Sequence, residues 1–340
     1  MVKVFIIDDS MLIRNILTKI LKNNNTIVVI GEANNPLDAF EEFKKVGLPD
    51  VFILDIEMPK MDGISFLKKL NKENPVPTII FSSMVNESST KVIEALENGA
   101  SDVIIKPLVL NDISMDDFKE DFISTIKAAA YTKSMSYTHF ENTKKYKEGR
   151  KSNKIIAIGA STGGVQTLEA ILKNLHPQHP PILITQHMPA GFTKSFAKRL
   201  HTLCLNSDVK EAKNGDILLK GNIYISPGDM HLEVKYLENE QYTCILKNYP
   251  KVSGHKPSVD VLFKSFSKEV KKNAVAFLLT GMGKDGAKGL QLMKETNAMT
   301  YGQDEASCIV YGMPKVAFTQ GSVQQQVNIN EIITIINEME

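Results

Sequence analysis

The chain has 340 residues, of which 43% are hydrophobic and 23% are charged, and its formal net charge is +1. This length allows two domains of ordinary size, and the near-neutral charge excludes a global field that would recruit nucleic acid or an anionic membrane. The three cysteines are widely spaced, which predicts a protein of the reducing cytoplasm. No apolar run is long enough for a signal peptide or a membrane span, so we expect a soluble protein that is not inserted in a membrane.

The first part of the chain alternates strand-like and helical patterns. Apolar, β-rich runs alternate with amphipathic segments such as "MLIRNILTKILKN", in which apolar residues recur at i, i+3 and i+4. The runs cover residues 3–8, 26–33, 50–55, 77–83 and 102–107. Because these strands are apolar throughout, we expect a five-stranded parallel sheet covered on both faces, an α/β doubly wound domain spanning residues 1–130.

A polar segment separates this part from the rest of the chain. Residues 131–152 contain no Ile, Leu or Val and no sustained apolar period, which predicts a linker. From residue 153 to 340 the alternation of strands and helices resumes, so we expect a second, Rossmann-like α/β domain. Two segments in its middle, 215–226 and 231–247, have turn residues inside β-rich runs and predict hairpin strands inserted into that fold.

Charged and hydroxyl residues follow four of the five predicted strands of the first domain. They are Asp8 and Asp9, Asp55, Ser82, and Lys106. In an open parallel sheet these strand ends converge, and three converging carboxylates repel unless a hard cation such as Mg²⁺ lies among them. The lysine and the hydroxyl indicate an anion such as a phosphoryl group beside the metal. Any single Asp here has a simpler explanation, which is to cap the following helix.

The first domain resembles the receiver domain of two-component response regulators. The matching residues are "DDS" at 8–10, "DIEMPKMDG" at 55–63, Ser82, and "KP" at 106–107. The resemblance implies a flavodoxin-like fold in which Asp55 accepts a phosphoryl group from a histidine kinase. It also implies that Asp9, Asp55 and the backbone carbonyl of Glu57 bind Mg²⁺, with Asp8 acting through the waters of the metal.

Two further positions take their expected roles from the same resemblance. Lys106 would pair with the phosphoryl oxygens, and Ser82 would follow the phosphoryl group and shift the residues after it. Val103 stands where many receivers carry an aromatic switch residue. This departure leaves the expected phosphorylation intact and removes the basis for a switch by an aromatic rotamer.

The second domain opens with the segment "KIIAIGASTGG", in which an apolar strand turns abruptly small and polar. The residues around Ser161 fit G-x-S-x-G, the turn that exposes a nucleophilic serine between a strand and a helix. A helix beginning at Gly164 would offer free N–H groups to a developing oxyanion. A nucleotide phosphate cradle and an ordinary strand-to-helix turn remain open, although the segment lacks both G-x-G-x-x-G spacing and a Walker lysine.

A serine nucleophile needs a base and a group that orients the base. His187 follows the next predicted strand, in "LITQHMP", and Asp285 follows the strand "AVAFLL", in "TGMGKDG". Both therefore stand at the same sheet edge as Ser161. The order Ser, His, Asp along the chain differs from that of α/β-hydrolases, so a triad here would lie on another topology.

The second domain resembles the CheB family of chemotaxis methylesterases. Its matching segments are "IGASTGG", "ITQHMPAGFTKSFAKRL", "YISPGDMHLEV", "PSVDVLFKSF", "LLTGMGKDGAKGL" and "EASCIVYGMPKVA". The resemblance implies that Ser161 is the nucleophile, His187 the base and Asp285 the orienting acid. The backbone N–H of Met282 would help to bind the oxyanion, and Thr162 would support Ser161 and His187.

The combined resemblance implies a phosphorylation-regulated protein-glutamate methylesterase that also deamidates receptor glutamines in chemotaxis. Its partners would be methyl-accepting chemoreceptors and the chemotaxis histidine kinase, and the esterase reaction itself would need no cofactor. We expect the unphosphorylated receiver to restrict access to the esterase cleft. The competing class is a response regulator whose output domain only binds a partner or nucleotide. A nucleic-acid-binding output is disfavoured because no helix-turn-helix with a basic recognition helix follows the linker.

Overall fold

The computed structural model describes residues 1–82, 88–106, 112–130, 153–238 and 241–339. The chain divides into two compact units, Met1–Ser134 and Met135–Glu340, which we call the N-terminal and C-terminal units. The predicted linker at 131–152 and the predicted site position Pro107 lie outside the described residues, and the domain boundaries at 130 and 153 stay predictions. Within the described ranges, no helix combines the length and the apolar character needed to span a membrane.

The N-terminal unit has a parallel sheet with strand order β2-β1-β3-β4-β5. Its strands are β1 Val2–Ile7, β2 Ile27–Ala33, β3 Val51–Leu54, β4 Thr78–Ser82 and β5 Asp102–Ile105. Its helices are α1 Met11–Lys22, α2 Pro36–Val46, α3 Gly63–Glu73, α4 Ser88–Glu97 and α5 Asp112–Ala130. The four residues of β3 are all buried, as expected for a strand covered on both faces. The predicted doubly wound fold is confirmed.

The C-terminal unit has a larger parallel sheet with strand order β14-β13-β12-β6-β7-β9-β8, and a separate antiparallel hairpin of β10 and β11. The strands are β6 Ile155–Ala160, β7 Ile182–Gln186, β8 Asp208–Glu211, β9 Asn222–Ile225, β10 His231–Tyr236, β11 Tyr242–Lys247, β12 Ala274–Leu278, β13 Met299–Gln303 and β14 Gln325–Val327. The helices are α6 Gly164–Leu172, α7 Phe192–Leu203, α8 Val259–Glu269, α9 Ala287–Glu295, α10 Met313–Thr319 and α11 Ile329–Asn337, with a 3₁₀ turn at Lys271–Asn273.

The hairpin prediction was half right. Residues 231–247 form the predicted hairpin, but the segment 215–226 contributes only β9, which pairs in parallel with β7 and β8 in the main sheet. The turn residues around Gly221 suggested a hairpin. Between β7 and β9 the chain instead forms α7 and β8, and this crossover places β9 parallel to β7. Local turn residues do not encode such a long-range pairing.

In each parallel sheet the strand order reverses at one strand, because the chain adds later strands first on one side of that strand and then on the other. In the N-terminal unit, β1 lies between β2 and β3, and in the C-terminal unit, β6 lies between β7 and β12. The loops after the two strands diverge at such a point and leave a crevice at the carboxyl ends of the strands. The residues predicted to carry chemistry lie at the ends of β1, β3, β4 and β5 in one unit and of β6, β7 and β12 in the other.

Helix α8 lies close to β6 because Gly159 has no side chain. A Cβ at Gly159 would overlap the Val259 side chain, coming within 2.9 Å of its Cγ2 atom. Val259 is fully buried and is the first residue of α8, so this contact sets how near the start of the helix comes to the strand.

We predict that Gly159→Val destabilises the C-terminal unit. Overpacking a buried contact of this kind costs about 1–3 kcal/mol. In a domain of this size each kcal/mol lowers the midpoint of thermal unfolding by about 2–4 °C, which scanning calorimetry of the full chain would measure. Lys235→Val adds the same side chain at an exposed position of β10 and should leave the midpoint unchanged. Equal midpoints for both variants would contradict the packing argument.

Candidate active site

Ser161 lies in the turn between β6 and α6. Its backbone N–H donates to the carbonyl of Thr280 at 3.0 Å, and its own carbonyl accepts from Gly164 at 2.7 Å. Gly163 has φ of 78°, and a Cβ there would lie 2.6 Å from Cβ of Ile309. The turn therefore requires glycine for both its backbone conformation and its close packing.

His187 contacts both other residues of the predicted triad. Its Nδ1 atom lies 3.1 Å from Oγ of Ser161, and its Nε2 atom lies 2.8 Å from Oδ2 of Asp285. An ionised carboxylate only accepts, so the hydrogen-bond network assigns the ring proton to Nε2 and leaves Nδ1 to accept from the serine hydroxyl. The backbone N–H of His187 donates to Ala160 at 3.0 Å, which fixes the histidine beside the nucleophile turn.

The Asp285 carboxylate is buried and heavily hydrogen-bonded. It accepts from the Ser258 hydroxyl at 2.8 Å and from the backbone N–H groups of Val259 at 2.7 Å, Asp260 at 3.0 Å and Gly286 at 3.0 Å. Burial alone would raise the pKa of Asp285, but the hydrogen bond from His187 and the backbone donors outweigh it and hold the pKa below its usual value. The start of α8 thus stabilises a buried negative charge behind His187.

Thr162 and Met282 flank the same turn. Thr162 is buried, and its carbonyl accepts from the Thr280 hydroxyl at 3.0 Å. Met282 follows Gly281, where a Cβ would lie 2.6 Å from Cβ of Ser161. The segment that carries Met282 therefore packs directly against the nucleophile, and the roles predicted for these two residues stay predictions.

Three residues of this site were not among the predicted site residues. Gln186 donates from Nε2 to the carbonyls of Ser161 at 3.0 Å and His187 at 3.1 Å, which ties the two loops together. The ring of His255 stacks on that of His187, with centroids 3.7 Å apart and planes at 15°. Gln186 lies in "ITQHMP" and Ser258 in "PSVD", so of the three only His255 stood outside the segments that the sequence had marked.

The N-terminal unit brings together the acidic residues that follow β1 and β3. Carboxylate oxygens of Asp8, Asp9 and Asp55 all lie within 4.8 Å of one another. Asp8 and Asp55 are buried, whereas Asp9 is exposed and lines a cleft of 690 Å³ together with Glu57. Oxygen donors at this spacing, with one open to solvent, fit a hard divalent cation.

Lys106 joins the two buried carboxylates. Its Nζ atom lies 2.6 Å from Oδ2 of Asp55 and 2.8 Å from Oδ2 of Asp8. Burial would lower the pKa of Lys106, but the two acids outweigh it and raise the pKa. Burial raises the pKa of Asp55 and Asp8 adds to the effect, while Lys106 opposes it. The lysine and Asp55 are therefore a close pair in a site that retains an excess of negative charge.

The other predicted positions of this cluster lie on its edges. The backbone N–H of Glu57 donates weakly to Asp55 at 3.4 Å, and the Glu57 side chain pairs with Lys91 at 3.0 Å. Ser82 is buried at the end of β4, next to β5, and Val103 of β5 is also buried. Asp8, Asp9, Asp55, Glu57, Ser82 and Lys106 thus all lie on strand ends or loops at one edge of the sheet.

The comparisons with known proteins match both units. Residues 156–336 match the CheB methylesterase family, and residues 4–115 match the response regulator receiver domain family. The protein-glutamate methylesterase/protein-glutamine glutaminase 3 of Leptospira interrogans is 44% identical to this chain over 344 residues, which cover 98% of each. The Escherichia coli K12 protein-glutamate methylesterase/protein-glutamine glutaminase is 40% identical over 333 residues, covering 97% of this chain and 95% of that protein.

A solved structure supports the same assignment for the C-terminal unit. The crystal structure of the Thermotoga maritima CheB methylesterase catalytic domain superimposes with a TM-score of 0.53 at 37% sequence identity, and it covers 56% of this chain and 100% of that one. Together with relatives at 40–44% identity along nearly the whole chain, this shows that the protein belongs to the CheB methylesterase family, with an N-terminal response regulator receiver domain.

Proposed function

We propose that this chain is a phosphorylation-regulated serine esterase that hydrolyses glutamate γ-methyl esters on chemoreceptors and deamidates receptor glutamines. The observation that carries the proposal is the continuous hydrogen-bond chain from Ser161 through His187 to Asp285, with distances of 3.1 and 2.8 Å. A serine, a neutral imidazole and a buried carboxylate in this order are the groups that acyl transfer requires. The relatives' names supply the substrate class.

The first half of the reaction forms an acyl-enzyme. Ser161 Oγ attacks the ester carbonyl while its proton passes to Nδ1 of His187, and the N–H of Met282 helps to stabilise the oxyanion. Asp285 stabilises the imidazolium that forms without itself taking the proton. The intermediate collapses, the proton on Nδ1 goes to the leaving oxygen, and methanol departs.

The second half restores the enzyme. Water attacks the acyl carbonyl as it gives a proton to Nδ1 of His187. The intermediate then collapses, the bond from the acyl carbon to Ser161 Oγ breaks, and Oγ takes the proton back from Nδ1, which leaves a glutamate side chain and free Ser161. The same sequence on a glutamine side chain releases ammonia instead of methanol. In the serine-protease template the histidine accepts through Nε2, whereas here Nδ1 faces the serine, which leaves the roles of the three groups unchanged.

The N-terminal unit supplies the regulation. We place the phosphoryl group on Asp55, donated by the histidine kinase of the chemotaxis pathway in the cytoplasm, with Lys106 pairing with its oxygens and Ser82 following it. Asp9, Asp55 and the Glu57 carbonyl would hold Mg²⁺, with Asp8 contacting its waters, and the ion would neutralise charge on the transferring phosphoryl group. The described cysteines are free and buried, in keeping with a reducing compartment.

The alternative reading of "GASTGG" as a phosphate cradle is less well supported. The start of α6 is packed, since a Cβ at Gly163 would meet Ile309 and one at Gly164 would meet Oε1 of Gln186. These neighbours give both glycines a role in packing that does not involve a phosphate. The glycines are explained by close packing of the turn, which favours the serine-nucleophile interpretation.

We predict that Ser161→Ala abolishes methanol release from membranes that carry methyl-esterified chemoreceptors. The wild type should release methanol, and acetyl phosphate with Mg²⁺ should raise the rate by about 5- to 150-fold, the range of an ordinary coupling free energy. Asp55→Asn should keep the basal rate and lose this stimulation. Full release by Ser161→Ala would refute the esterase mechanism, and full stimulation of Asp55→Asn would refute the site of phosphorylation.

We predict that Asp285→Asn lowers kcat by about 10³- to 10⁴-fold. The amide of Asn can donate to Nε2, so the ring proton would move to Nδ1, which then no longer accepts the proton of Ser161. Steady-state methanol release measures this, with Asp208→Asn as the same change at an exposed carboxylate of the same unit. A loss below tenfold for Asp285→Asn would show that the carboxylate does not set the tautomer.

We predict that Asp9→Ala weakens Mg²⁺ binding by at least about 10-fold, because it removes the solvent-exposed ligand of the acidic cluster. Isothermal titration of the full chain with MgCl₂ measures the affinity without reference to activity. Glu42→Ala removes the same charge at a partly exposed position on α2 and should leave the affinity unchanged. Equal affinities for the wild type and Asp9→Ala would contradict the proposed metal site.

A further inference from the structure

His255 lies flat against the proposed catalytic base. Its ring centroid is 3.7 Å from that of His187, and the two planes differ by 15°. Burial, and then the neighbouring His187, lower the pKa of His255 to about 3, and the weaker attraction of Asp285 does not reverse this. His255 is therefore neutral at any pH at which the enzyme works, and it offers His187 an uncharged flat surface.

The two hydrogen bonds of His187 leave one motion of its ring uncontrolled. Bonds at Nδ1 and Nε2 fix the positions of these two nitrogens. The ring can still tilt about the line that joins them, and tilting turns the lone pair of Nδ1 away from the serine oxygen. A planar group stacked on one face opposes this tilt. Misplacement of reacting groups by an ångström costs up to about 100-fold in rate, so the restraint bears directly on catalysis.

The loop that carries His255 is anchored at both ends by a buried histidine. The loop runs from β11 to α8, and His231, which is fully buried, accepts at Nδ1 from the N–H of Ser258 at 3.2 Å. The Nε2–H of the same ring donates to the carbonyl of Pro250 at 3.1 Å. One neutral imidazole thus fixes the start and the end of the loop.

Two further contacts brace the middle of the loop. Val252 and His255 exchange backbone hydrogen bonds of 3.0 Å in both directions, and the Ser253 hydroxyl donates to Asp260 at 2.9 Å. Asp260 in turn accepts from the N–H of Gly289 in α9 at 2.7 Å. The loop is therefore tied to two helices, and its stacked ring has a fixed position relative to His187.

We propose that His255 is a positioning residue whose stacked ring holds the His187 ring in the plane that joins Ser161 to Asp285. The inference rests on the proposed catalytic role of His187 and adds a residue to that site. His255 does not exchange protons in this scheme. It stays uncharged while His187 becomes positively charged, and so it opposes neither the formation of the imidazolium nor its discharge.

The test compares two replacements of similar size that differ in shape. His255→Phe keeps a flat ring and loses both nitrogens, whereas His255→Leu keeps apolar bulk and loses the plane. We expect kcat for methanol release by the full chain to stay within about 3-fold of wild type for Phe and to fall by about 10- to 100-fold for Leu, with KM nearly unchanged in both. The pH profile of kcat/KM for His255→Phe should keep the wild-type shape, because no titrating group is lost in the working range.

Controls separate this inference from the proposed function. His201→Ala, an exposed histidine on α7, should match the wild type. The rate at which a phosphonylating reagent labels Ser161 gives a second comparison of the variants. It is measured at a temperature where calorimetry shows every variant folded, so differences in stability do not affect it. Wild-type kcat in His255→Leu, or an equal loss in Phe and Leu, would overturn the positioning role while leaving the esterase intact. Full release by Ser161→Ala would overturn the proposed function, and this inference with it.

Discussion

Both units depend on one property of parallel sheets. Where the strand order reverses, the loops that follow the two strands at the reversal run in opposite directions. In the N-terminal unit the reversal lies between β1 and β3, and Asp8, Asp9 and Asp55 follow these strands. In the C-terminal unit it lies between β6 and β12, and Ser161 and Asp285 follow these. The loops that diverge at the reversal leave a crevice at the carboxyl ends of the strands, and the reactive groups converge there.

The two crevices treat buried carboxylates in opposite ways. Asp285 accepts from a hydroxyl, three backbone N–H groups and His187, so its charge is stabilised within the protein and its pKa is lowered. Asp55 has one strong partner, Lys106, and a second carboxylate beside it, so its pKa is raised. A satisfied carboxylate suits a fixed orienting role. A carboxylate whose charge is only partly balanced suits a group that binds a cation and accepts a phosphoryl group.

The sequence predicted which residues share an edge of the sheet more completely than it predicted how every strand of that sheet pairs. The positions of Ser161, His187 and Asp285 at one edge followed from local strand patterns and from the parallel order that alternation implies. The pairing of β9 with β7 and β8 did not, because it depends on a crossover through α7 rather than on any local period. His255 was equally invisible, since its stacking on His187 joins loops 68 residues apart by a contact that has no spacing rule.

The small residues at the end of β6 and in the turn after it are explained by what packs around them. Gly159 lets Val259 approach, which brings the start of α8 within hydrogen-bond distance of Asp285. Gly163 and Gly164 admit Ile309 and Gln186, and the Gln186 amide then holds the carbonyls on either side of the cleft. A side chain at Gly159 or Gly164 would displace Val259 or Gln186, each of which hydrogen-bonds to a residue of the triad. The close backbone contacts that position Ser161, His187 and Asp285 therefore also require small residues in the turn.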